Sequence, residues 1–201
     1  MLFSLYILAV MLRFLLGTVR ADFYNQVSQF LVRITNPVLA PMRKIIPSAG
    51  KFDTAALLLM LLLQLASLLL MVALRGASVS ILALLLLAVA ELVLLLINIF
   101  IFSIVIMVIL SWINPGTYTP VGALLYSLTN PIMAPIRRII PPVAGIDLSP
   151  LFALIGLQVL NVLNEDAPEY WVDWILFPGE DYEARDWVSP RRLQLKFKLA
   201  F

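Results

Sequence analysis

The chain contains neither cysteine nor histidine, and both absences narrow the chemistry open to it. Without Cys there is no thiol nucleophile, disulfide or Fe–S ligand, and without His there is no imidazole acid or base. Zinc sites of the usual Cys and His type are excluded as well. Because there are no cysteines, the sequence does not indicate whether the protein lies in an oxidising or a reducing compartment. We therefore expect a protein that is not an enzyme and that binds no cofactor or metal.

Charge is scarce too: 13% of the 201 residues are charged, whereas 62% are hydrophobic. Soluble proteins carry about a quarter charged residues, and a soluble domain of this length could not bury so much apolar surface. The net charge of +2 is too small an excess to indicate nucleic-acid binding. These proportions predict an all-α membrane protein.

Four apolar runs are present, at residues 1–19, 54–74, 78–113 and 150–163. The first lacks the basic start and small-residue cleavage site of a signal peptide, so we interpret it as a span. The second reaches about 30 Å as a helix, which is one bilayer core. The third would reach about 54 Å. Because it has no Gly or Pro at which to turn, one long helix is favoured over a hairpin of short spans.

Two stretches of the chain are nearly the same: TNPVLAPMRKIIP at residues 35–47 and TNPIMAPIRRIIP at residues 129–141. A shift of 94 residues aligns the surrounding sequence without a gap from about residue 14 to residue 70. This predicts four transmembrane helices as two tandem repeats, each a helix, an amphipathic and proline-kinked connector, and a second helix. Repeat one covers residues 1–75. Repeat two covers 76–163, with an extra apolar stretch at 78–90.

Each connector begins with a segment of helical periodicity. In the first, Asp22 is a candidate cap, followed by apolar residues at helical spacing: Phe23, Val27, Phe30, Leu31 and Ile34. In the second, Thr119 precedes Pro120 as cap and first-turn proline, and the apolar side is Leu124, Leu125 and Leu128. We expect both helices to lie at the membrane surface.

Prolines follow in each connector, and because they lack a backbone donor we expect them to break the path into short helical pieces. They are Pro37, Pro41 and Pro47 in the first copy, and Pro131, Pro135 and Pro141 in the second. After them, Asp53 and Asp147 begin the next spans, and Ser149 before Pro150 is a predicted N-cap.

A basic pair lies among these prolines in each copy, Arg43–Lys44 and Arg137–Arg138. Loops rich in Lys and Arg stay on the cytoplasmic side, so the pairs place both connectors there. If the basic pairs only set the orientation in the membrane, charge alone would be enough. Here the repeat also copies a pattern of prolines. Anionic lipid headgroups, a protein partner or a conducted ion are the alternative ligands of these cations.

The repeated unit resembles the YGGT family of small integral membrane proteins of bacteria and plastids, over roughly residues 5–163. The resemblance implies links to osmotic and ion-stress tolerance, to cell division and to cytochrome maturation, without naming a reaction. Its signature positions are Pro37, Pro41, Arg43 and Pro47 in the first copy and Ser111, Trp112, Pro131, Pro135, Arg137, Arg138, Pro141, Asp147, Ser149 and Pro150 in the second. Residues 164–201 resemble nothing in the family, and Glu165 and Asp166 end the fourth apolar run.

We single out five polar residues inside the spans: Arg13, Gln64, Glu91, Asn98 and Gln158. Such residues mark functional sites in membranes. For Arg13 we favour a side chain that snorkels to the nearby interface, and for Glu91 a solvated carboxylate near the far interface. The repeat-related Gln64 and Gln158 favour hydrogen bonds between helices over the lining of a pore.

The function that these features favour is a non-enzymatic scaffold or assembly factor of the inner (plasma) membrane, contributing to envelope or osmotic-stress homeostasis. The expected partners are anionic lipid headgroups, another membrane protein and further copies of the chain. The alternative is an ion channel or transporter component, although few polar residues are available to line a path.

Overall fold

The computed structural model describes residues 2–48, 50, 52–75, 80–113, 119–140 and 147–176. This part of the chain forms six helices and no strands, which confirms the predicted all-α class. The helices are α1 (Leu2–Thr18), α2 (Gln26–Ile45), α3 (Thr54–Arg75), α4 (Ile81–Ile113), α5 (Pro120–Ile139) and α6 (Ser149–Leu176). The predicted site residue Pro141 and the extra-stretch residues 78 and 79 lie outside the described ranges, as do residues 177–201.

Two helices are long and apolar enough to cross a membrane, α4 and the Thr54–Leu74 part of α3. Two shorter apolar helices accompany them, at Phe3–Thr18 and Ser149–Leu163. The 33 residues of α4 are continuous and reach about 50 Å, so the third apolar run is one helix, as predicted. The helix α6 does not end with its apolar part but continues through Glu165 and Asp166 to Leu176.

The long helix α4 joins the two halves of the bundle. Near its start, Leu84 and Ala88 are buried against Leu68 of α3. Farther along, Ile97 and Ile104 enter a cluster with residues of α5 and α6. The extra apolar stretch of the second repeat is therefore, over its described part, an extension of α4 that packs along α3.

The other clusters connect α1 with both repeats. Ile7 and Val10 of α1 pack with Ala55 and Ala56 at the start of α3, and Leu128 of α5 joins the same cluster. A neighbouring cluster holds Leu31 of α2, Leu124 of α5 and Leu16 of α1. The connector helix of the second repeat thus packs onto the first helix of the first repeat.

The connector helices α2 and α5 begin and end 94 residues apart, in the register of the sequence repeat. Thr119 caps α5 and accepts a hydrogen bond from the Gly122 backbone N–H at 3.1 Å, with Pro120 following as predicted. The predicted cap at Asp22 is wrong: Asn25 caps α2, accepting from the Val27 N–H at 2.9 Å. Asp22 instead closes a local turn by accepting from the Tyr24 N–H at 2.8 Å.

The expectation that prolines break the connectors is also wrong. Pro37 and Pro41 lie inside the continuous helix α2, and Pro131 and Pro135 lie inside α5. All four are on the exposed side of their helix. Each removes one backbone bond and frees a carbonyl four residues earlier. Three of the residues that carry these carbonyls are exposed and the fourth, Ser127, is half-buried. A polar medium can therefore satisfy the carbonyls, and the helix continues.

The predicted apolar side of α2 does not face the protein. Its buried residues are Ser28, Leu31, Thr35 and Leu39, whereas Phe30 is 61% exposed and Val27 is 42% exposed. Only Leu31 of the predicted row is buried in the bundle. The outward aromatic and aliphatic side chains suit contact with lipid rather than with the bundle.

Helix α1 ends in a Schellman motif. The Ala21 N–H bonds the Leu16 carbonyl at 2.9 Å and the Arg20 N–H bonds the Gly17 carbonyl at 3.2 Å. Arg20 has φ of 54°, a left-handed conformation that Gly usually occupies. Ala21 and Leu16 share a buried cluster, which is the apolar contact typical of this motif. The motif directs the chain from α1 toward α2.

Candidate functional site

Each connector helix is tied to the next helix by an Arg–Asp pair. The Arg43 Nε donates to Asp53 Oδ2 at 3.1 Å, and a terminal guanidinium nitrogen of Arg43 donates to the same oxygen. In the second copy Arg137 Nε donates to Asp147 Oδ2 at 2.9 Å. All four side chains are partly exposed, so each pair adds about 1 kcal/mol or less. Their role is to fix the angle between two helices.

The same aspartates also bond to the start of the following helix. Asp53 Oδ1 accepts from the Ala56 N–H at 3.3 Å. In the second copy the equivalent residue is Pro150, which has no N–H, and Asp147 Oδ1 accepts from the Ser149 N–H at 2.9 Å. The predicted N-cap at Ser149 is therefore wrong, because Ser149 is the first helical residue and Asp147 supplies the acceptor.

The Asp147 carboxyl has an altered acidity. Burial acts to raise its pKa, but hydrogen bonds from Ser149 and from the Arg137 guanidinium outweigh it. The pKa of Asp147 therefore lies below the ordinary aspartate value. The lowered pKa favours the charged carboxylate, which bonds Arg137 and so links α5 to the start of α6.

The second cation of each pair has a different environment. Lys44 and Arg138 are exposed, and neither forms an ion pair with any carboxylate in the described ranges. Each basic pair thus contains one cation that holds the fold and one that is presented to the surroundings. Pro47 closes the first connector, and its carbonyl accepts from the Thr54 hydroxyl at 2.7 Å.

The two connectors touch where they begin. The Asn25 Nδ2 donates to the Pro120 carbonyl at 2.8 Å, although the two residues are 95 positions apart. One side chain therefore caps α2 and also holds the first residue of α5. This contact places the N-terminal ends of both connector helices at the same end of the bundle.

The prediction that the Arg13 side chain snorkels to the nearby interface is wrong. That side chain is only 8% exposed. One terminal nitrogen donates to Thr35 Oγ1 at 2.6 Å and, more weakly, to the Val32 carbonyl at 3.5 Å. The other donates to Asn36 Oδ1 at 2.9 Å. The guanidinium is thus held by the first two residues of the repeated TNP motif.

A cavity of about 460 Å³ lies beside Arg13, between the end of α1, helix α2 and the segment that leads into α3. Arg13, Arg43 and Asp53 supply its charged lining. Phe14 and Phe52 form part of its apolar wall, with their rings stacked at 6.3 Å between centroids. The cavity is therefore aromatic on one side and cationic on another.

The remaining intramembrane polar residues pair in a way that the repeat does not predict. Gln64 Nε2 of α3 donates to Glu91 Oε2 of α4 at 2.7 Å, the interhelical bond favoured for Gln64. Gln158 is exposed and makes no hydrogen bond with a described residue. Instead, Asn161 of α6 donates to Asn98 of α4 at 3.1 Å. Asn161 is not among the polar residues singled out from the sequence.

The sequence assigns Asp53, the repeat equivalent of Asp147, only the start of the next span, and it does not single out Thr35 or Asn36. No sequence signal indicates that Thr35 and Asn36 hold Arg13. Within the described part of the chain, no group of three or more acidic, His or Cys side chains is placed to hold a metal ion. The features brought together are thus two linked connectors and one charged cavity.

Comparison with known proteins gives one family. The family model described as CCB3/YggT matches residues 1–74 and 81–164. The match leaves out residues 75–80, between the two matched ranges, and it ends at residue 164, where the apolar part of α6 has ended.

Several bacterial relatives cover most of the chain. A protein of Pseudomonas aeruginosa is 44% identical over 162 residues, which is 80% of this chain and 82% of the relative. One of Vibrio alginolyticus is 44% identical over 167 residues, covering 82% and 90%. YggT of Escherichia coli K12 is 33% identical over 159 residues, covering 79% and 82%. All three are described as uncharacterised, and no solved structure matches the chain significantly.

Proposed function

The chain belongs to the CCB3/YggT family, and from that membership we propose that it is a four-span membrane protein that acts as a non-enzymatic scaffold or assembly factor. The spans are α1, α3, α4 and the apolar part of α6. Two of these helices are long and apolar enough to cross a bilayer, and the two shorter ones pack against them. Helices α2 and α5 lie at the membrane surface.

The location proposed is the inner membrane, with both connectors in the cytoplasm. The connector of the first repeat carries an excess of basic residues, and positive loops remain cytoplasmic. The exposed Phe30 and Val27 of α2 and the free carbonyls beside the exposed prolines favour a helix half in lipid and half in water.

The observation that carries the proposal is the contact between two connectors built to one plan. Asn25 joins α2 to α5, and an Arg–Asp pair then fixes the far end of each helix. Lys44 and Arg138 remain unpaired with described residues at equivalent places. We name the exposed last turns of α2 and α5, which carry these two cations, the connector platform. It would dock an acidic surface of another membrane protein, or anionic headgroups.

The test removes the two free cations and leaves the structural pairs intact. The variant Lys44→Gln with Arg138→Gln is compared with Arg33→Gln, which removes an exposed cation of α2 that has no basic counterpart in the second copy. Both are introduced into a strain that lacks the protein. Growth at high salt and membrane abundance are measured together.

The double variant should insert at normal levels and fail to restore growth, while Arg33→Gln should restore it. The structural pairs are untouched and other cations still bias the orientation. If the double variant restores growth fully at normal abundance, these basic residues serve only to orient the protein in the membrane. The proposed connector platform would then be wrong.

A channel or transporter component is the second candidate. The observation that favours it is the polar pairing along α4, where Glu91 and Asn98 bond to α3 and α6 within the apolar part of the bundle. An assembly of several copies could place such groups along a path. Ion flux through purified protein in liposomes, lost in Glu91→Gln, would favour this function over the scaffold.

A further inference from the structure

We infer that Arg13 and the cavity beside it form a binding site for the phosphate group of a small anionic ligand, in the first repeat. The phosphate is that of an anionic lipid headgroup or free inorganic phosphate. The lipid source rests on the membrane placement proposed above, whereas the chemistry of the site does not.

Arg13 is a buried cation whose charge is incompletely paired. A guanidinium has five N–H donors, and Arg13 uses them on three acceptors, from Thr35, Asn36 and Val32. None of these acceptors carries a charge. No carboxylate of the described residues lies within ion-pair distance of Arg13. A buried charge of this kind is costly unless a counter-charge reaches it.

The cavity itself also carries positive charge. Arg43 lines it together with Arg13, and Asp53, already bonded to Arg43, is the one acidic residue among the described residues of the lining. Two guanidinium groups and one carboxylate leave a net charge of +1, which suits a singly charged phosphate group. Arginine binds phosphate through paired N–H donors. The aromatic wall of Phe14 and Phe52 suits the apolar part that follows a lipid headgroup.

In the second repeat an uncharged residue occupies the position of Arg13. Met107 is the equivalent of Arg13, and its Sδ lies 3.4 Å from the Thr129 hydroxyl, as Arg13 lies against Thr35. A methionine is therefore accommodated at this position of the repeat. The packing of the first apolar helix against the connector helix therefore does not need a cation at residue 13. A bound anionic ligand would explain why Arg13 is there.

The same comparison supplies the variant. Arg13→Met gives the first repeat the residue of the second and is expected to keep the fold. Arg33→Gln removes one exposed cation outside the cavity lining and controls for general loss of charge. Circular dichroism and thermal unfolding in detergent check that both variants are folded.

The measurement is native mass spectrometry of the full chain in detergent micelles doped with phosphatidylglycerol or with phosphatidylcholine. The wild-type chain and Arg33→Gln should retain phosphatidylglycerol preferentially. Arg13→Met should retain it about tenfold less, because charge-assisted hydrogen bonds are lost. Equal retention by Arg13→Met, or an equal loss in Arg33→Gln, would overturn the site.

A second arm identifies the source of the phosphate. Inorganic phosphate is added to lipid-free micelles and the shift in unfolding temperature is recorded. A shift in the wild type that Arg13→Met abolishes, without retention of phosphatidylglycerol, identifies free phosphate as the ligand. Binding of neither probe by the wild type would overturn the inference. These outcomes do not depend on the growth of the Lys44 and Arg138 double variant, so the site and the platform can fail separately.

Discussion

Thr35 and Thr129 occupy the same place in the two repeats, and both are almost completely buried. Each donates its hydroxyl to the carbonyl four residues earlier, Thr35 to Leu31 and Thr129 to Leu125. The hydroxyl oxygen can then accept a bond from the preceding apolar helix. In the first repeat Arg13 donates that bond, whereas in the second Met107 has no donor and its Sδ instead accepts from the Thr129 hydroxyl at 3.4 Å. The difference between Arg13 and Met107 thus gives the first repeat a charged site where the second repeat has an uncharged contact.

The bond between Gln64 and Glu91 leads to a prediction at the same scale. Gln64→Leu removes the donor to a carboxylate that lies between α3 and α4. We expect a loss of about 1 kcal/mol in the free energy of unfolding, since hydrogen bonds between membrane helices contribute about 0.6–2 kcal/mol. The measurement is unfolding in mixed detergent, followed by circular dichroism.

The repeat offers the control for this prediction. Gln158 is the equivalent residue of the second copy, yet it is exposed and makes no hydrogen bond with a described residue. Gln158→Leu should leave the free energy of unfolding nearly unchanged. If the two variants lose equal stability, the Gln64–Glu91 bond does not hold α3 to α4.

Asp147 gives a prediction of pH dependence. Its pKa in the folded chain is lowered on balance, because hydrogen bonds from Ser149 and Arg137 outweigh the opposing effect of burial. A lowered folded pKa adds stability above the unfolded value of about 3.9, and that stability is lost as the pH falls through the folded pKa. The stability difference between wild type and Asp147→Asn should therefore be full at neutral pH, begin to fall near pH 4 and vanish only below the lowered folded pKa.

The difference should be small, about 1 kcal/mol or less, because both partners of the ion pair are partly exposed to solvent. Unfolding of the wild type and of Asp147→Asn is followed from pH 7 to pH 3 at constant ionic strength. A difference that grows toward acid pH would show that the carboxylate does not stabilise the folded chain.

At the scale of the element, the prolines of α2 and α5 give the clearest test. Pro41 is exposed and lies inside a continuous helix, so it contributes little packing while removing a backbone bond. Pro41→Ala should raise the unfolding temperature, with a gain of about 1–3 kcal/mol, because Ala restores the missing donor. Thermal unfolding followed by circular dichroism measures it.

Pro150 is the matched control for that substitution. It lies in the first turn of α6, where backbone N–H groups have no partner within the helix. Pro150→Ala should change the unfolding temperature little. Destabilisation by Pro41→Ala would mean that the proline fixes a bend on which the bundle depends.

The helices themselves could largely be predicted from the sequence. The unbroken run that ends at Ile113 predicts the single long helix α4, and Thr119 with Pro120 predicts the start of α5. Both signals are local, since hydrophobic periodicity and capping act within a few residues. The prediction that the prolines break the connectors is wrong because the free-energy cost of a proline in a helix depends on whether the carbonyl left without a donor is exposed. Only the packing of the whole helix decides that exposure.

The site depends on contacts between distant residues, and these could not be predicted. Arg13 and Thr35 are 22 positions apart, and nothing in either segment indicates that one holds the other. Asn161 replaces Gln158 as the partner of α4 because the long helix α4 meets α6 at a different register from that of α3. A sequence repeat predicts equivalent backbone positions and not equivalent side-chain partners.

For the whole molecule, the two repeats are joined at two levels. Within the bundle, α4 belongs to the second repeat by sequence yet packs its first turns along α3 of the first. At the end where the connectors begin, Leu124 and Leu128 of α5 are buried with residues of α1. Neither repeat therefore buries its apolar surface alone, and the contact from Asn25 to Pro120 completes the connection.

The central claim is that both connectors lie at one face of the membrane as a single surface, and labelling of engineered cysteines tests it most directly. Because the chain has no cysteine, Lys44→Cys, Arg138→Cys and Ser80→Cys each supply the one thiol. A maleimide that cannot cross membranes is applied to spheroplasts and to inverted inner-membrane vesicles. Residues 44 and 138 should be labelled in inverted vesicles alone, and residue 80, beside the start of α4, in spheroplasts alone. Labelling of residues 44 and 138 from opposite faces would contradict it.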